Sequence, residues 1–145
     1  MSDANVLYHF GPQNSVDVEV LVSKSNGELH ITAALPVLGS GQWEVIWKLK
    51  AGDNVTTLTF DPTDGIKPKD GDWPPELHIQ STGRVDNAGT GSSWRTVFQN
   101  CCQSANRGKY FVTGTADGQS FHLEDPNTSF HHDPTIAVVS DPITG

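Results

Sequence analysis

The stretch Trp43-Glu-Val-Ile-Trp-Lys-Leu49 decides the fold class of this chain. Its odd-numbered positions all carry large apolar side chains, whereas Glu44 and Lys48 fall on the opposite side of an extended backbone. This period of two residues is typical of a β-strand with one face in a core and the other in solvent. The strand predicts that the protein is built from sheets that are buried on one side.

The same period recurs on both sides of this strand, and helical periodicity does not. Every second residue from Val16 to Val22 is a valine, and the Asn26-Gly27 and Asp117-Gly118 pairs are strong hairpin signals. Further short strands are predicted at 29–33, 55–60, 76–80, 94–99, 109–115, 119–123 and 135–139. Short strands at this spacing predict an all-β fold, a single Greek-key β-sandwich of the cupredoxin-like or immunoglobulin-like kind with about seven to nine strands. We expect one domain over residues 1–145.

Composition restricts the range of partners and the cellular location. The chain has 145 residues with 17 acids against 9 bases, which gives a formal charge of −8. Such a surface repels phosphate backbones and anionic lipid, so neither nucleic acid nor a membrane is an expected partner. The first ten residues lack the basic and apolar regions of a signal peptide, and Cys101 and Cys102 are adjacent, which favours reduced thiols. These features predict a cytoplasmic protein.

A group of imidazoles and carboxylates near the C-terminus is a candidate metal site formed by His122, His131 and Asp133. Since neighbouring residues of an extended chain point to opposite sides, at most one of His131 and His132 could join His122. The alternative is a solvated acidic loop, and the spacing matches no established ligand set. The acidic loop at 61–72 is a poor calcium site because Lys67 and Lys69 lie within it. We expect no cofactor.

No arrangement typical of a catalytic nucleophile is present. Ser92 and Ser93 lie in a glycine-rich loop but lack the G-x-S-x-G elbow between strand and helix. The sequence therefore predicts a protein that is not an enzyme.

Trp73 is the strongest candidate for ligand binding, because it lies in the loop Asp70-Gly-Asp-Trp-Pro-Pro75 rather than in a predicted strand. An exposed indole beside Asp70, Asp72 and Asn87 could stack on a sugar ring or anchor a protein partner. The alternative is that Trp73 folds back and covers one open end of the sandwich.

The second half of the chain carries two strings, Tyr110-Phe-Val-Thr-Gly-Thr-Ala-Asp-Gly118 and His132-Asp-Pro-Thr-Ile-Ala-Val-Val139. In this order they resemble small bacterial cytosolic β-sandwich proteins, some of which look similar to inclusion-body proteins. The resemblance implies a cupredoxin-like or immunoglobulin-like fold and a bacterial cytosol, and it implies no site residues. Blue-copper chemistry is not expected, because such a site needs a methionine ligand on an end loop and the chain's single methionine is the initiator Met1.

Three hypotheses for function follow from these observations. The first is a non-catalytic binding or self-assembly module that presents end loops, at 61–75, 81–93 and 124–134, or an edge strand to a protein partner or to its own copy. The second is a lectin-like carbohydrate-binding sandwich that uses Trp73. The third is a metal-dependent enzyme at the loop that contains His122.

Overall fold

The computed structural model describes residues 14–39, 41–69, 71–85, 91–100, 105–122, 125, 127–130 and 134–139. These residues form strands and connecting turns, and none of them belongs to a helix that could cross a membrane. The strands are β1 (Asn14–Ser25), β2 (Glu28–Ala33), β3 (Val37–Leu38), β4 (Gly41–Ala51), β5 (Leu58–Phe60), β6 (Ile66–Pro68), β7 (Leu77–Val85), β8 (Ser93–Asn100), β9 (Asn106–Val112), β10 (Gly114–Ala116), β11 (Gln119–Phe121), β12 (Thr128–Phe130) and β13 (Thr135–Val138).

One layer of the fold is a six-stranded sheet in the order β12-β2-β1-β4-β8-β7. The long strands β1 and β4 run parallel at its centre, and their register places Val18 beside Trp47 and Val16 beside Val45. Their apolar positions therefore fall on the same face of the sheet. The alternation of apolar and polar residues in β4 is thus matched by that in β1.

The second layer consists of a four-stranded sheet, β3-β13-β9-β6, and a three-stranded sheet, β11-β10-β5. Strands β9 and β10 follow one another along the chain with a break at Thr113. The backbone at this break stays bonded, because Thr113 N–H donates to Gly65 O and Thr113 O accepts from Asp61 N–H, both at 2.9 Å. The two smaller sheets therefore continue one another along the direction of their strands.

The core lies between the two layers and draws on every sheet. The indole N–H of Trp47 donates to the hydroxyl of buried Tyr110 at 3.1 Å, which links the six-stranded sheet to the four-stranded one. Phe60 of the three-stranded sheet packs edge-on against Trp94 at 6.0 Å between ring centroids. The largest fully buried side chains are Trp47, Tyr110, Phe60, Phe98, Phe121, Leu29, Ile31, Leu38 and Ile136.

The predicted all-β sandwich is confirmed, and so are its two hairpin turns. Asn26 and Gly27 have φ of 53° and 81°, and Asp117 and Gly118 have φ of 48° and 85°, as tight hairpins joined by such pairs require. The described residues hold thirteen strands rather than seven to nine: the break at Thr113 divides one predicted strand, the short strand β3 was not predicted, and β6 and β12 lie within the expected loops at 61–75 and 124–134. The expected loop at 81–93 was wrong in its first third, since β7 continues to Val85.

Candidate functional site

The sandwich is open along one side, where an edge strand of each layer borders a cleft. Strand β7 is the edge of the six-stranded sheet and β6 is the edge of the four-stranded sheet. Between them lies a cleft of about 520 Å³. It is lined by Pro62, Thr63, Ile66, Lys67, Pro68, Gly71, Asp72, Trp73, Ile79, Thr82, Gly83 and Trp94. A mainly apolar cavity of this size with a few polar groups is typical of ligand sites in proteins.

Trp73 belongs both to this cleft and to the core. Its ring stacks on Trp47 at 6.4 Å and 26°, and it meets Phe98 edge-on at 5.2 Å. Tyr110 lies at 6.1 Å from the same ring. The indole is half-buried, so it closes the interior of the sandwich while part of it borders the cleft. The sequence left open whether Trp73 is exposed or folds back, and the structure shows features of both.

Two close backbone approaches fix the loop that carries Trp73. A Cβ at Gly65 would lie 2.5 Å from the ring of Trp94, and a Cβ at Gly108 would lie 2.7 Å from Cδ of Pro74. Neither distance is compatible with a side chain, so glycine allows the loop to rest directly on the two layers. The 61–75 loop, which forms one wall of the cleft, is therefore held in place at Gly65 and at Pro74.

The start of this loop is held by an aspartate turn. The carboxylate of Asp61 accepts hydrogen bonds from the backbone N–H groups of Thr63 at 3.0 Å and Asp64 at 2.6 Å. Such turns are the usual local use of aspartate in loops. Asp61 therefore uses its carboxylate to form the turn at the start of the loop.

Polar side chains of β7 and β8 in the cleft wall are bonded to one another. The indole N–H of Trp94 donates to the hydroxyl of Thr82 at 3.0 Å, and that hydroxyl lies 2.9 Å from the hydroxyl of buried Thr96. The chain of bonds ties β7 to β8 beneath the cleft. A ligand would therefore meet an ordered wall that loses little entropy on binding.

Ile79 is the exposed apolar residue of this wall. It pairs with Phe98 of β8 and so lies on the core-facing side of β7, yet 44% of its surface remains accessible. Beyond it the strand is irregular, with a bulge between Ile79 and Ser81. The core-facing side of β7 is thus left uncovered where the cleft opens.

Tyr110, whose ring lies 6.1 Å from that of Trp73, is the titratable group with the most perturbed environment among the described residues. Burial raises the pKa of its phenol well above the usual range, because the phenolate would be desolvated. The hydrogen bond from Trp47 acts in the opposite direction and is the smaller effect. Tyr110 remains neutral at physiological pH and acts as a structural hydrogen-bond partner, not as an acid or base.

The structure brings together two of the four residues predicted to bind a ligand. Asp72 is exposed and Trp73 is half-buried, and both line the cleft. Asp70 and Asn87 lie outside the described residues. The predicted combination of an indole with a neighbouring carboxylate therefore exists for Asp72 and is untested for the other two.

Of the predicted metal ligands, only His122 is described. Its half-buried ring packs at 4.8 Å and 38° against Phe111. His131 and Asp133 lie outside the described residues. Within the described part of the chain, no three His, Cys, Asp or Glu side chains are grouped so that they could hold a metal ion.

Sequence reasoning missed three apolar residues of the cleft: Ile66, Ile79 and Trp94. Trp94 was predicted only as the first residue of a strand, without a role in binding. Ile66 and Ile79 carry no local signal, since a single isoleucine in a short strand is normally a core residue. Only the pairing of the layers shows that their side chains border an open space.

Comparisons with known proteins add little to this geometry. No family model and no curated protein matches the chain. Among solved structures, the chain is similar to the cysteine protease inhibitor EhICP2 from Entamoeba histolytica, over 90% of this chain and 99% of that one. The sequences are 8% identical and the TM-score is 0.26, so this likeness supports no inference about this chain. Its function has to be argued from the cleft itself.

Proposed function

We propose that this chain is a non-catalytic binding module that receives an apolar segment of a protein partner in the cleft between β6 and β7. One observation carries the proposal: the core-facing side of β7 is uncovered at Ile79, directly beside a preformed cleft that reaches Trp73 and Trp94. Burying apolar surface at that point would complete the sandwich. Each CH₂ removed from water there contributes about 0.8 kcal/mol.

The chemistry of the lining supports recognition rather than catalysis. Its charged side chains are Lys67 and Asp72, and Lys67 pairs with Asp64 at 3.1 Å. The described lining holds no cysteine, serine or histidine, and the hydroxyl of Thr82 is bonded to Trp94 and Thr96 within the wall. An apolar floor with a few polar rim groups is the composition of a recognition site.

Selection from a library of random linear peptides displayed on phage tests the proposal. Selected peptides should bind the wild-type protein in solution, and Ile79→Ser should weaken their affinity at least tenfold because the cleft wall loses its apolar side chain. Val37→Ser is the matched control, since Val37 is equally exposed at 49% but lies on β3, at the other edge of the second layer. Peptides that bind both variants like the wild type would place recognition elsewhere and refute the proposal.

Carbohydrate binding is the second candidate, and the position of Asp72 beside Trp73 in the cleft favours it. An indole supplies a flat apolar surface for a sugar ring, and a carboxylate accepts hydrogen bonds from sugar hydroxyls. The two groups share one lining. The half-burial of Trp73 leaves only part of the ring for stacking, which is why this candidate ranks second.

Titration of intrinsic tryptophan fluorescence with a panel of soluble oligosaccharides tests this candidate. A saturable change is expected with at least one sugar, and Asp72→Asn should weaken it while Asp53→Asn, an exposed turn position, should not. If no sugar gives a saturable change, the carbohydrate hypothesis fails. The metal-dependent enzyme, the cytoplasmic location and the likeness to inclusion-body proteins remain predictions from the sequence.

A further inference from the structure

Strand β7 is the longest sheet edge in the described part of the chain. It has nine residues, and positions 78 to 82 are all exposed. The other edge strands, β3, β5, β6, β11 and β12, have two or three residues each. Short edges resist pairing with other chains, whereas a long one offers a row of backbone donors and acceptors.

β7 also lacks most of the side chains that protect sheet edges. Its sequence, Leu77-His-Ile-Gln-Ser-Thr-Gly-Arg-Val85, contains no lysine, proline or acid. By contrast, β6 combines Lys67 with Pro68 on an edge of three residues. The bulge between Ile79 and Ser81 is the protective feature that β7 does have. This strand is therefore suited to accept another strand.

The charges around β7 favour a second copy of the same chain as that strand. Each chain has a formal charge of −8, but the strand itself holds no acid, so two copies can meet here without acids facing one another. Glu76 precedes the strand and Arg84 lies near its end. In an antiparallel pair, the Glu76 end of one copy lies beside the Arg84 end of the other, and symmetry makes this contact twice.

Both charged groups are held in place by the fold. The carboxylate of Glu76 accepts a hydrogen bond from the side chain of Asn106 at 2.9 Å, and the Arg84 guanidinium donates to Phe60 O at 2.9 Å. These contacts fix an acidic and a basic group at opposite ends of one edge. An antiparallel second copy places each of these groups beside the opposite charge of the other copy.

We infer that two copies of this chain pair antiparallel through β7, which joins their six-stranded sheets into one continuous sheet. This places the Ile79 side chains of both copies on the same face of the joined sheet. The inference rests on the proposed role of the β7 side as the recognition surface, and it names a second copy as a partner of that surface.

Native mass spectrometry combined with hydrogen exchange over a range of protein concentrations tests the inference. We expect a dimer that dissociates on dilution, with amides in 77–85 protected at high concentration and exposed at low concentration. A monomer at every concentration up to the millimolar range would overturn the inference. So would a dimer whose concentration-dependent protection lies outside β7.

A charged residue at the middle of β7 separates the interface from general charge effects. Ser81 is exposed and central, so in the symmetric pair Ser81→Lys places two lysines close together and should raise the dissociation constant of the dimer at least tenfold. Thr32→Lys adds the same charge at an exposed position of β2, on the far side of the six-stranded sheet from β7, and should leave the dimer unchanged. Equal effects of the two variants would contradict pairing through β7.

The same samples distinguish this inference from the proposed function. A protein that stays monomeric and binds selected peptides in an Ile79-dependent way would refute only the dimer. A β7-paired dimer for which no peptide can be selected would refute only the peptide-binding role.

Discussion

At the residue scale, Trp73 has two roles that place opposite demands on its side chain. Its ring contacts Trp47, Phe98 and Tyr110 in the core, and the rest of it borders the cleft. Aromatic pairs of this kind contribute about 0.5–1.5 kcal/mol each beyond the area they bury. A substitution at Trp73 therefore affects stability as well as binding, and the two effects have to be measured separately.

Trp73→Ala should lower the free energy of unfolding by about 3 kcal/mol, because it leaves a cavity beside three aromatic rings. Trp73→Phe should cost less, since it retains an aromatic ring. Chemical denaturation monitored by circular dichroism measures both. If Trp73→Ala were as stable as the wild type, the ring would not be part of the core.

Tyr110→Phe removes the acceptor of the buried Trp47 N–H group and leaves that donor without its partner. The expected loss of stability is about 1–2 kcal/mol, the cost of an unsatisfied buried polar group. Chemical denaturation at neutral pH measures it. A variant with unchanged stability would show that the Trp47–Tyr110 bond contributes nothing net.

The raised pKa of Tyr110 also predicts a dependence of stability on alkaline pH. The folded state holds the phenolic proton more tightly than the unfolded state, whose tyrosine titrates near pH 10. The stability that the neutral phenol contributes is therefore fully present below about pH 10, and it decreases as the pH rises toward the pKa of Tyr110 in the folded protein. In Tyr110→Phe this part of the decrease should be absent, which denaturation midpoints from pH 8 to pH 11 would show. Equal slopes in the two proteins would contradict the assignment.

At the element scale, the 61–75 loop is positioned by its contacts with both layers. Gly65 lies against Trp94 of the six-stranded sheet, and Gly108 lies against Pro74 from the four-stranded sheet. The aspartate turn at Asp61 fixes the start of the loop. A long loop anchored at both ends can present a rigid cleft wall, which is the usual condition for precise recognition by loops.

Gly108→Ala should destabilise the protein and displace the Trp73 loop, because the new Cβ would lie 2.7 Å from Cδ of Pro74. The expected loss is about 1–3 kcal/mol, as for other overpacked sites. Gly39→Ala is the matched control, since nothing lies within 4 Å of its Cβ position and its φ is not positive. Thermal unfolding of both variants measures the difference, and equal melting temperatures would refute a tight Pro74–Gly108 contact.

At the scale of the whole molecule, the two layers differ in continuity. The six-stranded sheet has two long central strands, β1 and β4, whose inward side chains such as Val20 and Trp47 are fully buried. The second layer is divided into two smaller sheets with strands of two to seven residues. Regions with continuous pairing and buried side chains open last in native-state fluctuations.

Amide hydrogen exchange should therefore be slowest in β1 and β4 and faster in the short edge strand β3. The central strands are paired on both sides, whereas β3 has two residues and pairs only with β13 in the described structure. Mass spectrometry of peptide fragments after timed exchange measures this order. Equal protection of β3 and the centre of β4 would mean that the sandwich opens only as a whole.

The sequence by itself determined the all-β class, which side chains of β4 point into the core, and the positions of two tight hairpins. These features depend on neighbouring residues, since the alternation of 43–49 and the Asn26-Gly27 and Asp117-Gly118 pairs act through local backbone geometry. It also identified Trp73 and Asp72 as a possible site, because an indole in a polar loop is visible without knowledge of the fold.

Only the tertiary structure decided that β7 is an edge, that β6 faces it across an opening, and that Ile66, Ile79 and Trp94 join Trp73 around one cleft. Which strands become edges depends on pairing between residues far apart in the chain, such as Trp47 with Trp94 and Val18 with Trp47. An isoleucine in a strand has the same local pattern whether the opposite layer covers it or not. The cleft lies between β6 and β7, the edge strands of the two layers, and that arrangement is a property of the assembled layers.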